Sequence, residues 1–470
     1  MGRGGSGSVR AVVLGGGIAG LAAARRLESL LPDAEIVLFE RDAHLGGKIQ
    51  TEHVGGYVIE AAPDSFLSQK ERGVGLCEEL GLGAELVGRR PEYGRTFVRR
   101  GGTLHPLPAG LTGMIPTNLD ALAASSLLSP EAQKRLAAEV DIPATPAGED
   151  ESIASFVSRR LGRETYEELV EPLMTGIFGG DGEQLSLRAT FPALRTLELE
   201  YGSVIRGLLA RAESTSASSH PPFLTLRGGM DTLVGTLVRK LEHTEIRTGT
   251  EVYAVRNRSD GGYALELDDD GRLDADAVVV AVPAVVTADL LADIDDDLAA
   301  AHAEIPYGSS VIVTLVYSET GVEHPLDGYG YVVPRSEGSD VLACTWTSRK
   351  WAGRAPDGMI LMRVYAGRFG GPDVTTYSDT ELLALAVSEV GLLGIDAEAL
   401  LTRVQRWPSG MPQYVLGHPK RLERIDAALE AHPGLSVAGA AYRGVGIPDC
   451  IRSGEEAAES VVRSLFAVLR

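Results

Sequence analysis

Residues 11–27 read AVVLGGGIAGLAAARRL, and this stretch decides the fold. An apolar run at 11–14 ends in Gly15-Gly16-Gly17 and passes straight into an alanine-rich segment of helical period. The glycines stand at G-x-G-x-x-G spacing, at Gly15, Gly17 and Gly20, around Ile18 and Ala19. Gly15 makes the tight turn, Gly17 lets a pyrophosphate reach the backbone, and Gly20 lets helix and strand pack closely. The helix N-terminus offers free N–H groups and a positive dipole end to phosphate. A second strand-like run at 36–39 ends on Glu40, where a carboxylate suits a ribose hydroxyl of an adenine dinucleotide. The glycines alone also fit a turn that binds nothing. The strand–turn–helix–strand context favours a dinucleotide site.

The bulk composition narrows the partners. A chain of 470 residues, 44% hydrophobic and 23% charged, is long enough for about three domain-sized units. Its formal net charge of −21 argues against nucleic acid and against an anionic membrane as the main partner. Cys77, Cys344 and Cys450 are far apart and form no C-x-x-C, which suits reduced thiols in a cytosol. The histidines show no metal-binding spacing, so no metal is expected. No stretch approaches the ~18 apolar residues of a membrane span; the longest apolar run, at 277–286, is interrupted by Pro283. The leader MGRGGSGS lacks the apolar middle of a secretory signal and is set aside from the fold.

Further along, Gly46-Gly47-Lys48 follows Glu40 and Arg41, bringing bare backbone and one positive charge towards the same ligand. The segment GGYVIEAAPDS at 55–65 has small residues, Ala61 and Ala62, that permit close approach of a ring. The basic stretch at 89–100 reads equally as a solvated hairpin face. Helical patterns occupy 119–139 and 152–174, with Gly162 placed to stop a helix. Between them lies the acidic loop DIPATPAGEDE at 141–151. The apolar, proline-broken stretch at 106–119 fits covered core, with a substrate entrance or membrane contact left open. A glycine turn and helix at 226–241, a single strand at 246–257, and a hairpin through YALELDDDG return to the dinucleotide fold. Four strand-like runs at 309–317, 329–333, 341–347 and 359–367 predict an antiparallel sheet. A buried strand at 435–438, a Gly444-Val445-Gly446 turn and a closing helix with Ile451, Ala458 and Val462 on one face finish the chain. A dinucleotide fold closed by the last helix implies that the middle of the chain is inserted into it.

These segments, with EPLMTGIFGGD at 171–181, CTWTSRKW at 344–351, RWPSGMPQY at 406–414 and AGAAYRGVGIPDCI at 438–451, resemble the FAD-dependent porphyrinogen oxidases, and more closely their soluble Gram-positive-type members. The family belongs to the amine-oxidase-like flavoprotein superfamily. Lys48 stands where arginine is usual, and Ala62 where glycine is expected. The resemblance implies an α/β fold: a Rossmann-like FAD-binding domain (9–60, 222–300, 405–470), an inserted antiparallel-sheet substrate domain (61–104, 172–221, 301–404) and a helical subdomain (105–171).

The same resemblance implies noncovalent FAD held by Gly15, Gly16, Gly17, Ile18, Ala19, Gly20, Glu40, Arg41, Lys48, Asp64, Ser65, Val252, Trp407, Val445, Gly446 and Ile447. Val252 would hold the adenine through its backbone, and Trp407 would pack by the isoalloxazine. Lys70, Ile177 and Tyr365 would meet substrate, with Arg349 and Lys350 added on charge alone. No catalytic residue is named. The activity implied is oxygen-dependent six-electron oxidation of coproporphyrinogen III to coproporphyrin III in the cytoplasm, releasing hydrogen peroxide. Expected partners are porphyrinogen, molecular oxygen and, transiently, the next enzyme of haem synthesis. The readings kept beside it are protoporphyrinogen IX oxidase, a flavin amine oxidase, and a flavin-free prenyl-binding chaperone of related fold.

Overall fold

The strand Arg10–Leu14 divides its residues between two separate cores. Ala11 and Val13 enter one hydrophobic cluster, Val12 and Leu14 the other, as the two-residue period of a strand requires. In this computed structural model, which describes residues 8–146, 148, 150–214, 220–268 and 271–468, the strand lies at the centre of a five-stranded parallel sheet. The order is Thr244–Thr248, Glu35–Glu40, Arg10–Leu14, Ala277–Val280, Leu435–Val437. Parallel strands buried on both faces need apolar residues at nearly every position, which Arg10–Leu14, Glu35–Glu40 and Ala277–Val280 supply, while the edge strand Thr244–Thr248 is polar and only part-buried.

Helices Ile18–Leu30, Asp231–Arg239 and Ile447–Val468 cover one face. Ile451, Ala458 and Val462 are buried there, as their spacing predicts. A methyl group on Gly454 would overlap the Ala19 carbonyl oxygen, so the first and last helices touch backbone to backbone. The other face carries a three-stranded meander (Val252–Asn257, Tyr263–Leu267, Arg272–Ala275) and the helices Ala284–Leu290, Asp296–Ala303 and His418–Glu430.

Four sequence expectations change in detail. The single strand expected at 246–257 is two strands in different sheets, Thr244–Thr248 and Val252–Asn257. Gly249 turns the chain between them at φ 64°, a left-handed conformation that suits glycine, with its N–H on Asp42 O at 3.0 Å. The helical stretch 119–139 breaks into Leu119–Ala123 and Pro130–Ala137. Ser129 caps the second of these, and Pro130 can open a helix but not continue one. The stretch 152–174 breaks at Gly162, after Ile153–Leu161, and resumes through a wide turn into Glu171–Phe178. Finally, the predicted strands Tyr307–Ser318, Gly328–Val332, Val341–Trp346 and Met359–Ala366 join Leu401–Pro412, Arg95–Arg100 and Thr103–Pro106 in a seven-stranded sheet that is mixed. Gly328–Val332 pairs with Arg95–Arg100 in parallel, which a long connection permits and a tight hairpin would not.

The stretch at 106–119 is covered core in part: Met114 and Ile115 are buried in the helical cluster. In that region the Arg160 guanidinium is fully buried against Glu139, whose carboxylate also takes Ser203 Oγ and Val204 N. The first seven leader residues, residues 147 and 149 of the acidic loop, and 269–270 of the hairpin lie outside the described residues.

Candidate functional site

At the carboxyl end of the central strand, Gly15 adopts φ 103°, and a side chain there would sit 2.7 Å from Ala281 O. A methyl on Gly20 would overlap the Gly15 carbonyl oxygen, so helix and strand pack as closely as backbone permits. Gly17 is different. Nothing lies within 4 Å of where its Cβ would be, and as N-cap of Ile18–Leu30 it has no capping side chain. The first-turn N–H groups therefore face an open cradle with no acidic residue in that turn.

Glu40 fixes this turn: its Oε2 accepts from Gly16 N at 2.7 Å and its Oε1 from Asp42 N at 2.9 Å. A carboxylate has about four lone-pair sites, so room for a hydroxyl donor remains. Gly46 N donates to Gly16 O at 2.8 Å, which lays the Gly46-Gly47-Lys48 segment against the glycine turn. Burial lowers the Lys48 pKa, and among the described residues no carboxylate pairs with its ammonium. Arg41 is exposed, 3.9 Å from Asp42. Val252 opens its strand just beyond Thr250, whose N–H donates to Glu40 O at 3.1 Å.

A second wall comes from the large sheet. Along Met359–Ala366, Met362, Val364 and Ala366 enter the hydrophobic core, so Arg363 and Tyr365 point to the opposite face. The pairing Ser310↔Trp407 places Trp407 on that face as well. Two of these side chains pin the same segment: Trp407 Nε1 donates to Ala61 O at 3.0 Å, and Arg363 Nη2 to Ala62 O at 2.6 Å. Arg363 is fully buried, lies 5.1 Å from the Tyr365 ring centroid, and its Nε and Nη1 have no hydrogen-bond partner among the described residues. Burial pushes the Tyr365 phenol up to about 12, so it is neutral at pH 7 and can donate a hydrogen bond.

Asp64 anchors the segment further. Its carboxylate accepts from Lys350 Nζ at 2.9 Å, Trp351 Nε1 at 3.0 Å and Ser65 Oγ at 2.7 Å. Burial works to raise its pKa, but Lys350, Arg363 and the indole N–H outweigh this and hold it well below the usual carboxylate range. Lys350 is thus committed to a carboxylate of its own chain. Arg349 faces Glu319 and Tyr93, so the two adjacent cations diverge.

The last helix closes the site. Gly444 N donates to Tyr414 Oη at 2.8 Å, and Tyr414 Oη donates to Ala440 O at 2.6 Å, which shapes the turn ahead of Val445, Gly446 and Ile447. Asp449 Oδ2 accepts from Gly446 N at 3.2 Å and ion-pairs with Lys70 Nζ. Ile177, on Glu171–Phe178, is 47% exposed, an apolar side chain free to meet a ligand.

The chain matches the flavin containing amine oxidoreductase family over residues 18–462. It is 36% identical to a coproporphyrinogen III oxidase of Bacillus subtilis, over 98% of this chain and 99% of that one. It is 31% identical to a coproporphyrinogen III oxidase of Staphylococcus aureus, over 96% and 99%. A crystal structure from Exiguobacterium sp. 255-15, described as a candidate protoporphyrinogen oxidase, superposes with a TM-score of 0.87 at 33% identity, over 97% and 99% of the two chains.

The chain belongs to the flavin-containing amine oxidoreductase family. Within it, the relatives put the chain among the porphyrinogen oxidases. A flavin is the cofactor class of this family, and the residues present fit one. The Gly17 cradle is open, the two helix N-termini supply N–H groups, and Lys48 offers an unpaired cation. The predicted residues from Gly15 to Gly20, with Glu40, Lys48, Asp64, Ser65 and Trp407, lie on segments joined by the hydrogen bonds above and by Ala61 N, which donates to Gln50 O at 2.9 Å. The predicted substrate residues are dispersed: Tyr365 on the sheet, Ile177 on a helix, and Lys70 at the start of the helix Glu71–Glu79, paired with Asp449 of the last helix. Sequence reasoning missed Arg363, Trp351, Tyr414 and Asp449. All four lie inside quoted motifs or one strand of them, but nothing local marks a residue that acts through another.

Proposed function

We propose that the protein is a coproporphyrinogen III oxidase carrying noncovalent FAD and using molecular oxygen as acceptor. The observation that carries this reading is the near-full-length similarity to coproporphyrinogen III oxidases on a chain whose glycine cradle is open. Six electrons and six protons leave the macrocycle, and three molecules of oxygen take them up as three of hydrogen peroxide. Bound flavin supplies a two-electron acceptor that oxygen restores, while the protein supplies position and electrostatics.

On this reading the first helix, Glu40, Lys48 and Val252 hold the dinucleotide, and Trp407 flanks the ring with Val445, Gly446 and Ile447. Arg363 and Trp407 keep Ala61 and Ala62 at a fixed distance from the sheet, so the ring has a rigid floor. Tyr365, Ile177 and Lys70 orient the porphyrinogen. No side chain is assigned as base; loss of pyrrole N–H protons to solvent suffices. Noncovalent attachment is supported by Cys450, whose thiol burial pushes up to about 12, leaving it protonated and a poor nucleophile. The FAD-binding, substrate and helical parts are assigned to the segments given above. Among the described residues no helix is long and apolar enough to cross a membrane, and a cytoplasmic location belongs to the proposal.

Purified protein should be yellow and release intact FAD on heating. It should oxidise coproporphyrinogen III with higher kcat/KM than protoporphyrinogen IX, and leave benzylamine untouched. Colourless protein that FAD cannot reconstitute would return the flavin-free chaperone reading. The name of the Exiguobacterium relative keeps protoporphyrinogen IX as the second reading; equal or better turnover of that substrate at every ionic strength would select it.

A further inference from the structure

The arginines of residues 89–100 are almost all spoken for. Arg90 pairs with Glu92 at 2.8 Å, Arg95 with Asp327 at 2.7 Å, and Arg99 with Glu389 at 3.0 Å. Arg100 donates to Leu127 O at 2.6 Å. Arg89 is the exception. Its guanidinium carbon lies 4.7 Å from the ring centroids of both Phe223 and Tyr329, yet among the described residues it has neither an ion pair nor a hydrogen bond. Burial lowers its pKa, offset in part by Tyr329 and by the charge of Asp64. It remains a cation, partly stripped of water and without an acceptor for its donors.

Its place in the fold is close to the proposed substrate residues. Arg89 directly follows Leu86–Gly88 in a small sheet with Phe223–Leu226 and Phe66–Leu67. Phe223 pairs with Leu67, an exposed apolar residue between Asp64 and Lys70. Tyr329 Oη donates to Arg90 O, and Arg90 N to Lys350 O, tying the second ring to the Asp64 anchor. Two aromatic faces pack against the guanidinium carbon, leaving the N–H edge of the fork. That edge matches a planar carboxylate in a two-point contact, where an ammonium would act only as a point charge. The apolar surroundings suit a carboxylate carried on an apolar body.

We propose that Arg89 binds one propionate carboxylate of the porphyrinogen and sets its position. This rests on the proposed function. The test measures binding of oxidised coproporphyrin III to holoenzyme by fluorescence quenching, beside steady-state turnover of coproporphyrinogen III. Etioporphyrin, which has no carboxylate, is the control ligand. Arg89→Met keeps apolar bulk between the rings; it should raise Kd and KM by about tenfold and leave etioporphyrin binding and the flavin spectrum unchanged. Arg89→Lys should recover part of the loss. Unchanged Kd and KM in Arg89→Met, or an equal loss for both porphyrins, would overturn the assignment. If Arg89→Met does not fold, Arg89→Lys decides: raised KM with an unaltered flavin spectrum supports it, and wild-type KM overturns it. Arg89-dependent binding of coproporphyrin without turnover would sink the oxidase reading and leave the carboxylate site standing. Turnover indifferent to Arg89 would do the reverse.

Discussion

Lys70 and Asp449 form an ion pair across 379 positions of sequence, and Asp449 is also the acceptor that holds Gly446 N in the terminal turn. One carboxylate thus joins a proposed substrate cation to the proposed flavin turn. Lys70 is 44% exposed and Asp449 only 8%, so the lysine is the movable partner. Asp449→Asn keeps an acceptor for Gly446 and frees the ammonium. It should lower KM for coproporphyrinogen by up to about fivefold, the upper end of what 0.2–1 kcal/mol for a part-exposed pair allows. Lys70→Met should raise KM, and the double variant should behave as Lys70→Met. Independent, additive effects of the two changes would show that the pair is not coupled to substrate.

Gly17 and Gly20 make a contrasting pair. A methyl on Gly17 meets nothing within 4 Å, whereas one on Gly20 overlaps the Gly15 carbonyl. Gly17→Ala should therefore fold with an apoprotein Tm close to wild type but bind FAD at least tenfold more weakly. Gly20→Ala should lower the apoprotein Tm itself. Unweakened FAD binding by Gly17→Ala would remove the phosphate from this turn.

Asp64 carries a pH signature. Its carboxyl titrates below an unfolded aspartate, near 3.9. Its contribution is therefore complete above about pH 4 and is lost as pH falls through the folded value. Asp64→Asn leaves Lys350 and Arg363 without their counter-charge and should cost roughly 3–5 kcal/mol at pH 7. Thermal melts from pH 7 down to 3 should show the gap to wild type narrowing below pH 4. A gap constant with pH would mean that the charge contributes nothing.

His418 works in the opposite sense of charge. Burial lowers its pKa to about 4 from 6.5, so it is neutral in the fold, stacked 4.2 Å from Tyr414 and bonded through Nε2 to Tyr442 O at 2.9 Å. Because the unfolded chain takes the proton first, stability is full above about pH 6.5 and falls towards pH 4. The loss is on the order of 3 kcal/mol at 1.36 kcal/mol per unit. Tyr414 shapes the Gly444 turn, so flavin release should rise over the same window. His418→Gln should flatten the Tm–pH slope between 6.5 and 4; an unchanged slope would assign the acid loss elsewhere.

The glycine turn, Glu40 as the end of the second strand, the terminal strand–turn–helix and most of the large sheet were legible in the sequence. They depend on backbone sterics and on side-chain periods that act within a few residues. The tertiary structure alone decided that residues 246–257 split between two sheets, because Gly249 turns against Asp42 from a distant part of the chain. It also decided which cations are free. Lys350 and Arg349 are adjacent in sequence and look equivalent, yet one pairs with the buried Asp64 and the other turns to Glu319, while Arg89 packs against two rings and, among the described residues, has no ion pair or hydrogen bond. Whether a charge is spent depends on which carboxylate packing brings within a few ångströms, and that is set by contacts hundreds of residues apart.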